Sequence, residues 1–86
     1  MRHARPDDLV RIAALLARLR ALPGLTEKKP GTFYVKSKAF LHFHEDPAGM
    51  FADIKNAAFS DFDRFKVDTP AEQDALVERA RTMLGG

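Results

Sequence analysis

The chain has 86 residues, no cysteine and a formal net charge of +2. A chain of this length forms a single domain, residues 1–86, with little room for a deep active-site cavity that excludes water. The absence of cysteine excludes disulfides, a thiolate nucleophile and a cysteine-ligated zinc site. No apolar run is long enough to cross a bilayer and the start lacks a signal peptide, so we expect a cytoplasmic protein that does not associate with membranes.

The charges are distributed unevenly along the chain. Residues 1–40 carry nine Lys or Arg against three Asp or Glu, whereas residues 41–86 carry five against nine. Such an asymmetry steers an anionic partner toward one side of a protein when the two halves stay apart. The elements of a small fold mix, so we favour the interpretation that the two halves neutralise each other.

The first predicted element is a helix. Pro6 suits its first turn, and Pro23-Gly24 ends it near Leu22. Its predicted buried stripe consists of Leu9, Ile12, Ala13, Leu16 and Leu19. Residues 26–31 are predicted to be a polar loop that the turn signal Pro30-Gly31 closes.

Four β-like runs follow, over residues 32–36, 39–45, 50–55 and 62–68. In the first, Phe33 and Val35 alternate with Tyr34 and Lys36, which is the pattern of a half-buried strand. Asp46-Pro47-Ala48-Gly49 has the composition of a type I turn and joins the second run to the third. Consecutive strands with short connections pair in an antiparallel sheet.

A second helix begins at Thr69, where Thr69 and Glu72 form a capping box and Pro70 takes the first helical position. The element order is therefore α-β-β-β-β-α. We predict an α+β fold with two layers, in which an antiparallel sheet of three to four strands carries the N- and C-terminal helices on one face.

The register of the central hairpin decides which side chains share a face. A four-residue loop at residues 46–49 pairs Glu45 with Met50 and His42 with Asp53. It gathers an apolar set, Leu41, Phe43, Met50, Ala52 and Ile54, on the inner face of the sheet. A three-residue loop with Gly49 as a bulge shifts the register by one and places the histidines among these apolar residues. We prefer the first register because it buries no imidazole, and the second stays open.

The opposite side of the sheet, here called the outer face, combines aromatic, basic and imidazole groups. The predicted contact surface consists of Tyr34, Lys36, Phe40, His42, His44, Phe51 and Asp53. Lys55 shares this face, and Arg64 and Lys66 join it if Phe65 and Val67 point inward. Clustered exposed aromatic residues indicate a contact. The predicted function is therefore a small binding module that uses the open face to bind a protein partner or a second copy of itself.

Two alternatives use the same face. His42 and His44 project to one side of their strand with Asp53 opposite, which makes the three a candidate site for a divalent metal or a small hydrolytic activity. The simpler interpretation is an ion pair between His42 and Asp53. Aromatic and basic groups on an open sheet also suit single-stranded nucleic acid. The sequence requires no cofactor and offers no supported nucleophile, so it favours a binding module over an enzyme.

Part of the chain resembles a known family. The matching motifs are Leu22-Pro23-Gly24-Leu25-Thr26, Phe33-x-Val35, Phe40-x-His42-x-His44, Gly49 and Ala52-Asp53-Ile54. They resemble a small bacterial family labelled "luciferase domain", and the resemblance implies an α+β fold and groups His42, His44 and Asp53. The order of elements is also similar, more loosely, to the MmcQ/YjbR-like double-wing domains, which carry Gly-Lys where this chain has Ser37-Lys38. Neither resemblance implies a catalytic residue.

Overall fold

A computed structural model describes the backbone of residues 2–85 and the side chains of residues 4–85. Its elements are β1 (Arg2–His3), α1 (Pro6–Leu9), a 3₁₀ turn (Val10–Ile12), α2 (Ala13–Arg20), β2 (Thr26–Lys29), β3 (Thr32–Val35), β4 (Lys38–Asp46), β5 (Gly49–Lys55), β6 (Phe62–Lys66) and α3 (Pro70–Met83). The sheet is antiparallel in the order β2-β3-β4-β5-β6, and β1 also pairs with β4. The predicted α+β fold is confirmed, with more strands than expected.

The N-terminal helical segment is not uniform. A 3₁₀ turn interrupts it, and each residue there rotates the chain by about 120° rather than 100°. The change of phase brings Leu15 into the core and leaves Ala13 exposed, contrary to the predicted stripe. The rest of that stripe is buried as expected, and α2 packs beside α3 over the sheet.

Two strands of the sheet were not predicted from the sequence. Residues 26–31 are not a loop, because β2 forms an edge strand from the polar sequence TEKK and only Pro30-Gly31 remains as a turn. Lysine on an edge strand discourages pairing with other chains, and it also removes the apolar alternation that identifies a strand. β1 has two residues and no pattern of its own, and its His3 is the register partner of His44.

The β3–β4 hairpin corrects two predicted positions on the outer face. Its turn is Lys36-Ser37, both with positive φ (50° and 70°), so Lys36 lies in an exposed turn and not in a strand. Phe40 is not on the outer face, because a β-bulge lies between the pairs Tyr34–Ala39 and Phe33–Leu41. The bulge turns Phe40 inward, where its ring is fully buried and stacks on Phe59 at 5.9 Å.

The β4–β5 hairpin has the preferred register. Glu45 pairs with Met50 and His42 with Asp53, so the three-residue alternative is wrong. The Asp46 side chain accepts a hydrogen bond from the N–H of Ala48 in the turn. Gly49 has φ 138°, and a Cβ there would collide with the Asp68 carboxylate, so the turn requires glycine. The inner face consequently holds the predicted apolar set, all of it buried.

The remaining elements close the core. β6 pairs with β5 so that Arg64 lies opposite Asp53, and α3 begins with the predicted capping box between Thr69 and Glu72. Ion pairs such as Arg18 with Asp74 (2.6 Å) join the basic and acidic halves of the chain, in agreement with the favoured neutralisation. Within the described part of the chain, no helix has the length and apolar content to span a membrane.

Candidate metal centre

The alternation of β4 and β5 gathers three chemically active side chains on the outer face. His42 and His44 are two residues apart on β4, and Asp53 lies opposite His42 on β5. Arg64 lies opposite Asp53 on the next strand. The cluster therefore spans three neighbouring strands, and backbone pairing sets the relative positions of all four residues.

Asp53 is the centre of this cluster. Its Oδ2 atom lies 2.8 Å from His44 Nε2 and 3.4 Å from His42 Nε2. Arg64 forms a fork on the same carboxylate, with Nε donating to Oδ1 at 2.7 Å and Nη2 to Oδ2 at 2.9 Å. The predicted cross-strand contact between His42 and Asp53 is present, but the diagonal contact of His44 is the shorter one. Diagonal neighbours in a sheet are within reach of long side chains.

The environment keeps Asp53 ionised. Burial by itself raises the pKa of this carboxyl, but the hydrogen bonds from Arg64 and the attraction of Arg64 and both imidazoles outweigh burial, so the pKa is lowered. In return, the hydrogen bond to Asp53 raises the pKa of Arg64. An ionised carboxylate can only accept hydrogen bonds, so the His44 Nε2 atom at 2.8 Å carries a hydrogen.

Aromatic side chains form the wall of the cluster. The His42 ring meets the His44 ring edge-on with 4.8 Å between centroids, and it meets the Phe62 ring in the same way at 4.9 Å. The ammonium group of Lys55 lies 4.4 Å from the centre of the Phe62 ring. These contacts fix the orientation of the imidazoles and leave them only partly accessible to water.

The arrangement has the donor set of a metal site. His42, His44 and Asp53 each offer one ligand atom, and these atoms all lie within 4.8 Å of one another. Two imidazoles and a carboxylate are ligands of zinc and related ions. The same atoms also form a complete hydrogen-bonded ion network with Arg64, so the geometry is compatible with both interpretations.

The other members of the predicted contact surface are spread over the same face. Tyr34 is half-buried on β3, with the Lys28 ammonium group 4.8 Å from the centre of its ring. Phe51 is half-buried on β5 opposite His44. Arg64 and Lys66 were expected on the outer face if Phe65 and Val67 point inward. Val67 is buried, as this condition requires, and Phe65 turns to the helix side but is 37% exposed.

Sequence reasoning placed Arg64 on this face but missed its fork on Asp53, and it did not include Phe62. Both depend on the register between β5 and β6, which the loop of residues 56–61 determines. That loop is closed by two hydrogen bonds, in which the Asn56 side-chain oxygen accepts from the N–H of Ser60 and the Asn56 N–H donates to the carbonyl of Asp61. It contains Phe59 at a φ of 56°. A bulky residue in the left-handed region gives no recognisable turn signal.

Comparisons of the chain with protein-family models, with curated proteins and with solved structures found no match. The resemblances to the "luciferase domain" family and to the MmcQ/YjbR-like domains therefore stay predictions. The chemistry of the cluster is the basis for assigning a function.

Proposed function

We propose that the protein is a small metal-binding module in which His42, His44 and Asp53 hold one divalent transition-metal ion on the outer face. The observation that carries the proposal is the approach of three ligand atoms to within 4.8 Å of one another. Two ligands come from one strand and the third from its paired neighbour. Ligands on paired strands are held more rigidly than ligands on loops.

The donor set selects the class of ion. Two imidazoles and one carboxylate suit Zn²⁺, Co²⁺, Ni²⁺ or Fe²⁺, whereas Mg²⁺ and Ca²⁺ prefer oxygen ligands. Ligand atoms around a tetrahedral zinc ion lie roughly 3.3 Å apart. The contacts of His44 and His42 with Asp53, 2.8 and 3.4 Å, are near this separation. Three protein ligands leave one position of a tetrahedral ion open for water or a further ligand.

Arg64 supports the carboxylate in this proposal. Its Nε atom holds Oδ1, and the imidazoles approach Oδ2, so the two oxygens of Asp53 have different partners. Ligating carboxylates are usually held by such hydrogen bonds from a neighbouring group. When the ion binds Oδ2 of Asp53, it replaces the hydrogen bond that Nη2 of Arg64 donates to this oxygen. The Arg64 side chain is 50% exposed and therefore has room to move aside.

Metal binding changes the tautomer of His44. Without metal, its Nε2 atom donates a hydrogen to Asp53. With metal, Nε2 must offer a lone pair, so its hydrogen is lost and the metal-bound ring carries its hydrogen on Nδ1. The ¹⁵N chemical shifts of a histidine ring report its tautomer, and a hydrogen-bonded ion network gives no such change on addition of zinc.

The test is a zinc titration followed by NMR of the histidine rings. The chain has three histidines, and a His3→Ala variant assigns the signals of the other two. We expect one equivalent of zinc to shift the His42 and His44 signals and to change the His44 tautomer. Asp53→Asn abolishes this response. The matched control is Asp63→Asn, because Asp63 pairs with Arg79 on the helix side of the sheet. Unchanged ring signals at excess zinc would leave the ion network as the role of these residues.

A second candidate function is self-association through the outer face. It is favoured by the position of the helices, which pack on the inner face, so that no helix among residues 4–85 covers Tyr34, Phe51 and Phe62. We expect the double variant His42→Ala/Phe51→Ala to keep its circular dichroism and to sediment as a monomer at concentrations where the wild type forms a dimer. A wild-type chain that sediments as a monomer at high concentration would contradict this candidate.

Two of the cations on this face are already paired, which weakens the support for nucleic-acid binding through it. Arg64 is paired with Asp53, and Lys66 lies 3.7 Å from Asp68. Cations that neighbouring carboxylates already balance contribute little to the attraction of phosphates.

A further inference from the structure

The outer face contains a cavity of about 520 Å³ beside His42. It arises because β3 and β1 share one edge of β4. β3 pairs with the first part of β4, up to Leu41, and β1 pairs with His44 and Glu45. The segments that contain β3 and β1 therefore separate beside His42. The turn at Pro30 lies on one side of the gap between them, and the helix that begins at Pro6 lies on the other.

The lining of the cavity combines apolar walls with hydrogen-bond donors. Pro6, Pro30 and two alanines supply apolar surface, and Thr32, Tyr34, His42 and Lys29 supply polar groups. Lys28 adds a second ammonium group above the Tyr34 ring. The carboxylate of Glu27 on the same strand is balanced, because it accepts hydrogen bonds from Arg20 and from the N–H of Gly31.

We infer that this cavity binds a small organic anion, a carboxylate on a flat apolar body. The body lies between the Tyr34 ring and the prolines, and the carboxylate meets Lys29 and Thr32. The volume is within the range of about 300–1,000 Å³ of small-molecule sites, which are mostly apolar with a few fixed polar groups. The inference does not rest on the proposed metal site, although both use His42, because none of these contacts requires an ion.

The test uses naphthoate and its uncharged isostere naphthamide as probes, with a chelator present so that the metal site plays no part. We expect saturable NMR shifts at Thr32, Tyr34 and His42, and an affinity for naphthoate about tenfold higher than for naphthamide. Lys29→Gln removes this difference without weakening naphthamide binding. The control is Lys55→Gln on the same face, because Lys55 contacts Phe62 and lies outside the cavity.

Three results would overturn the inference. Equal affinities for the two probes would show that the cavity does not select anions. Shifts that do not saturate, or that lie away from the cavity, would show that it is not a binding site for flat ligands. Tighter binding of naphthyl phosphate than of naphthoate would replace the carboxylate with a phosphate ester as the ligand class. The zinc titration is independent of all three, so failure of either proposal is recognised separately.

Discussion

The two faces of β4 and β5 come from one alternating pattern but are completed in different ways. On the inner face, Leu41 and Phe43 are buried under the helices. On the outer face no helix packs over the cluster within residues 4–85, and only Pro6 at the start of α1 borders this side of the sheet, yet Asp53 is only 6% exposed. Its own neighbours, the two imidazoles and Arg64, cover it. An apolar face therefore needs a second layer, whereas the outer face is closed locally by a polar cluster.

The difference bears on function because a buried ion network is a weak source of stability. Removing a carboxylate from water costs several kcal/mol, and its partners regain roughly that amount. Apolar or hydroxyl side chains at these positions would complete a sheet face at no such cost. The proposed metal ion would give the polar cluster a role other than folding, and the two faces are expected to differ in their energetics.

The largest effect is expected on the inner face. Phe43→Ala removes a ring that is 2% exposed and leaves a cavity, which costs about 3–5 kcal/mol. Small domains are stable by only about 5–15 kcal/mol, so this variant is close to unfolding. The matched change on the outer face, Phe51→Ala, is expected to cost about 1–2 kcal/mol because Phe51 is only half-buried. Urea unfolding measures both, and equal losses would contradict the distinction between the faces.

A smaller loss is expected at the centre of the outer face. Asp53→Asn removes the acceptor shared by His44, His42 and Arg64 and places an amide donor among other donors, at a cost of about 1–3 kcal/mol. Asp63→Asn breaks a partly exposed pair with Arg79 and is expected to cost less than about 1 kcal/mol. Thermal unfolding compares the two variants. The same loss in both would indicate that the cluster is an ordinary surface network.

Arg64→Gln tests whether an ion can replace the guanidinium. The change leaves the buried carboxylate with fewer donors, so the melting temperature is expected to fall without metal. Zinc supplies positive charge at the same carboxylate and stabilises the folded state by binding to it. We expect zinc to raise the melting temperature of Arg64→Gln more than that of the wild type. An equal shift in both proteins would show that Arg64 and the ion do not share Asp53.

Glu27 provides a carboxylate in a similar fork but without imidazoles. Arg20 donates to it at 2.5 and 3.0 Å, and this hydrogen bond is the main cause that lowers the pKa of Glu27. The unfolded chain therefore binds a proton more readily, so the contribution of Glu27 is complete above the ordinary pKa of about 4.3 and is lost as the pH falls below it. Glu27→Gln is expected to cost about 1 kcal/mol at pH 7 and little at low pH. A difference that persists at pH 2, or a response to zinc, would contradict this.

Much of the fold was predictable because local patterns and long-range packing agree. The turn at residues 46–49 and the apolar alternation of β4 and β5 both require the observed register, and that register alone places His42, His44 and Asp53 on one face. The capping box at Thr69 likewise determined the start of α3. The sequence alone therefore predicts that the three candidate ligands lie together.

The rest depended on irregular backbone that has no clear sequence signal. A β-bulge places Phe40 in the core and not on the predicted outer face. A 3₁₀ turn buries Leu15 in place of the predicted Ala13. The Arg64 fork required the β5–β6 register, which follows from a loop containing Phe59 at positive φ. The cavity beside His42 required β1, a strand too short to have any periodicity. Each miss is a place where tertiary packing outweighs local propensity.

The smallest effect is expected at the β3–β4 turn, which belongs to neither face. A two-residue turn of this kind needs positive φ at both positions and prefers glycine at the second, where this chain has Ser37 at 70°. Replacing Ser37 by glycine relieves the strain of the left-handed conformation, which stabilises the folded state by about 1–2 kcal/mol. Glycine also gives the unfolded chain more conformational freedom, which offsets about half of this gain. Ser37→Gly should therefore stabilise the protein by about 0.5–1 kcal/mol in urea unfolding, whereas Ser37→Ala, which keeps the Cβ, should give no gain. Because the turn lies away from the cluster, zinc affinity should be unchanged in Ser37→Gly. A change in that affinity would mean that the outer face depends on the hairpin as a whole, and that the two faces are not energetically separate.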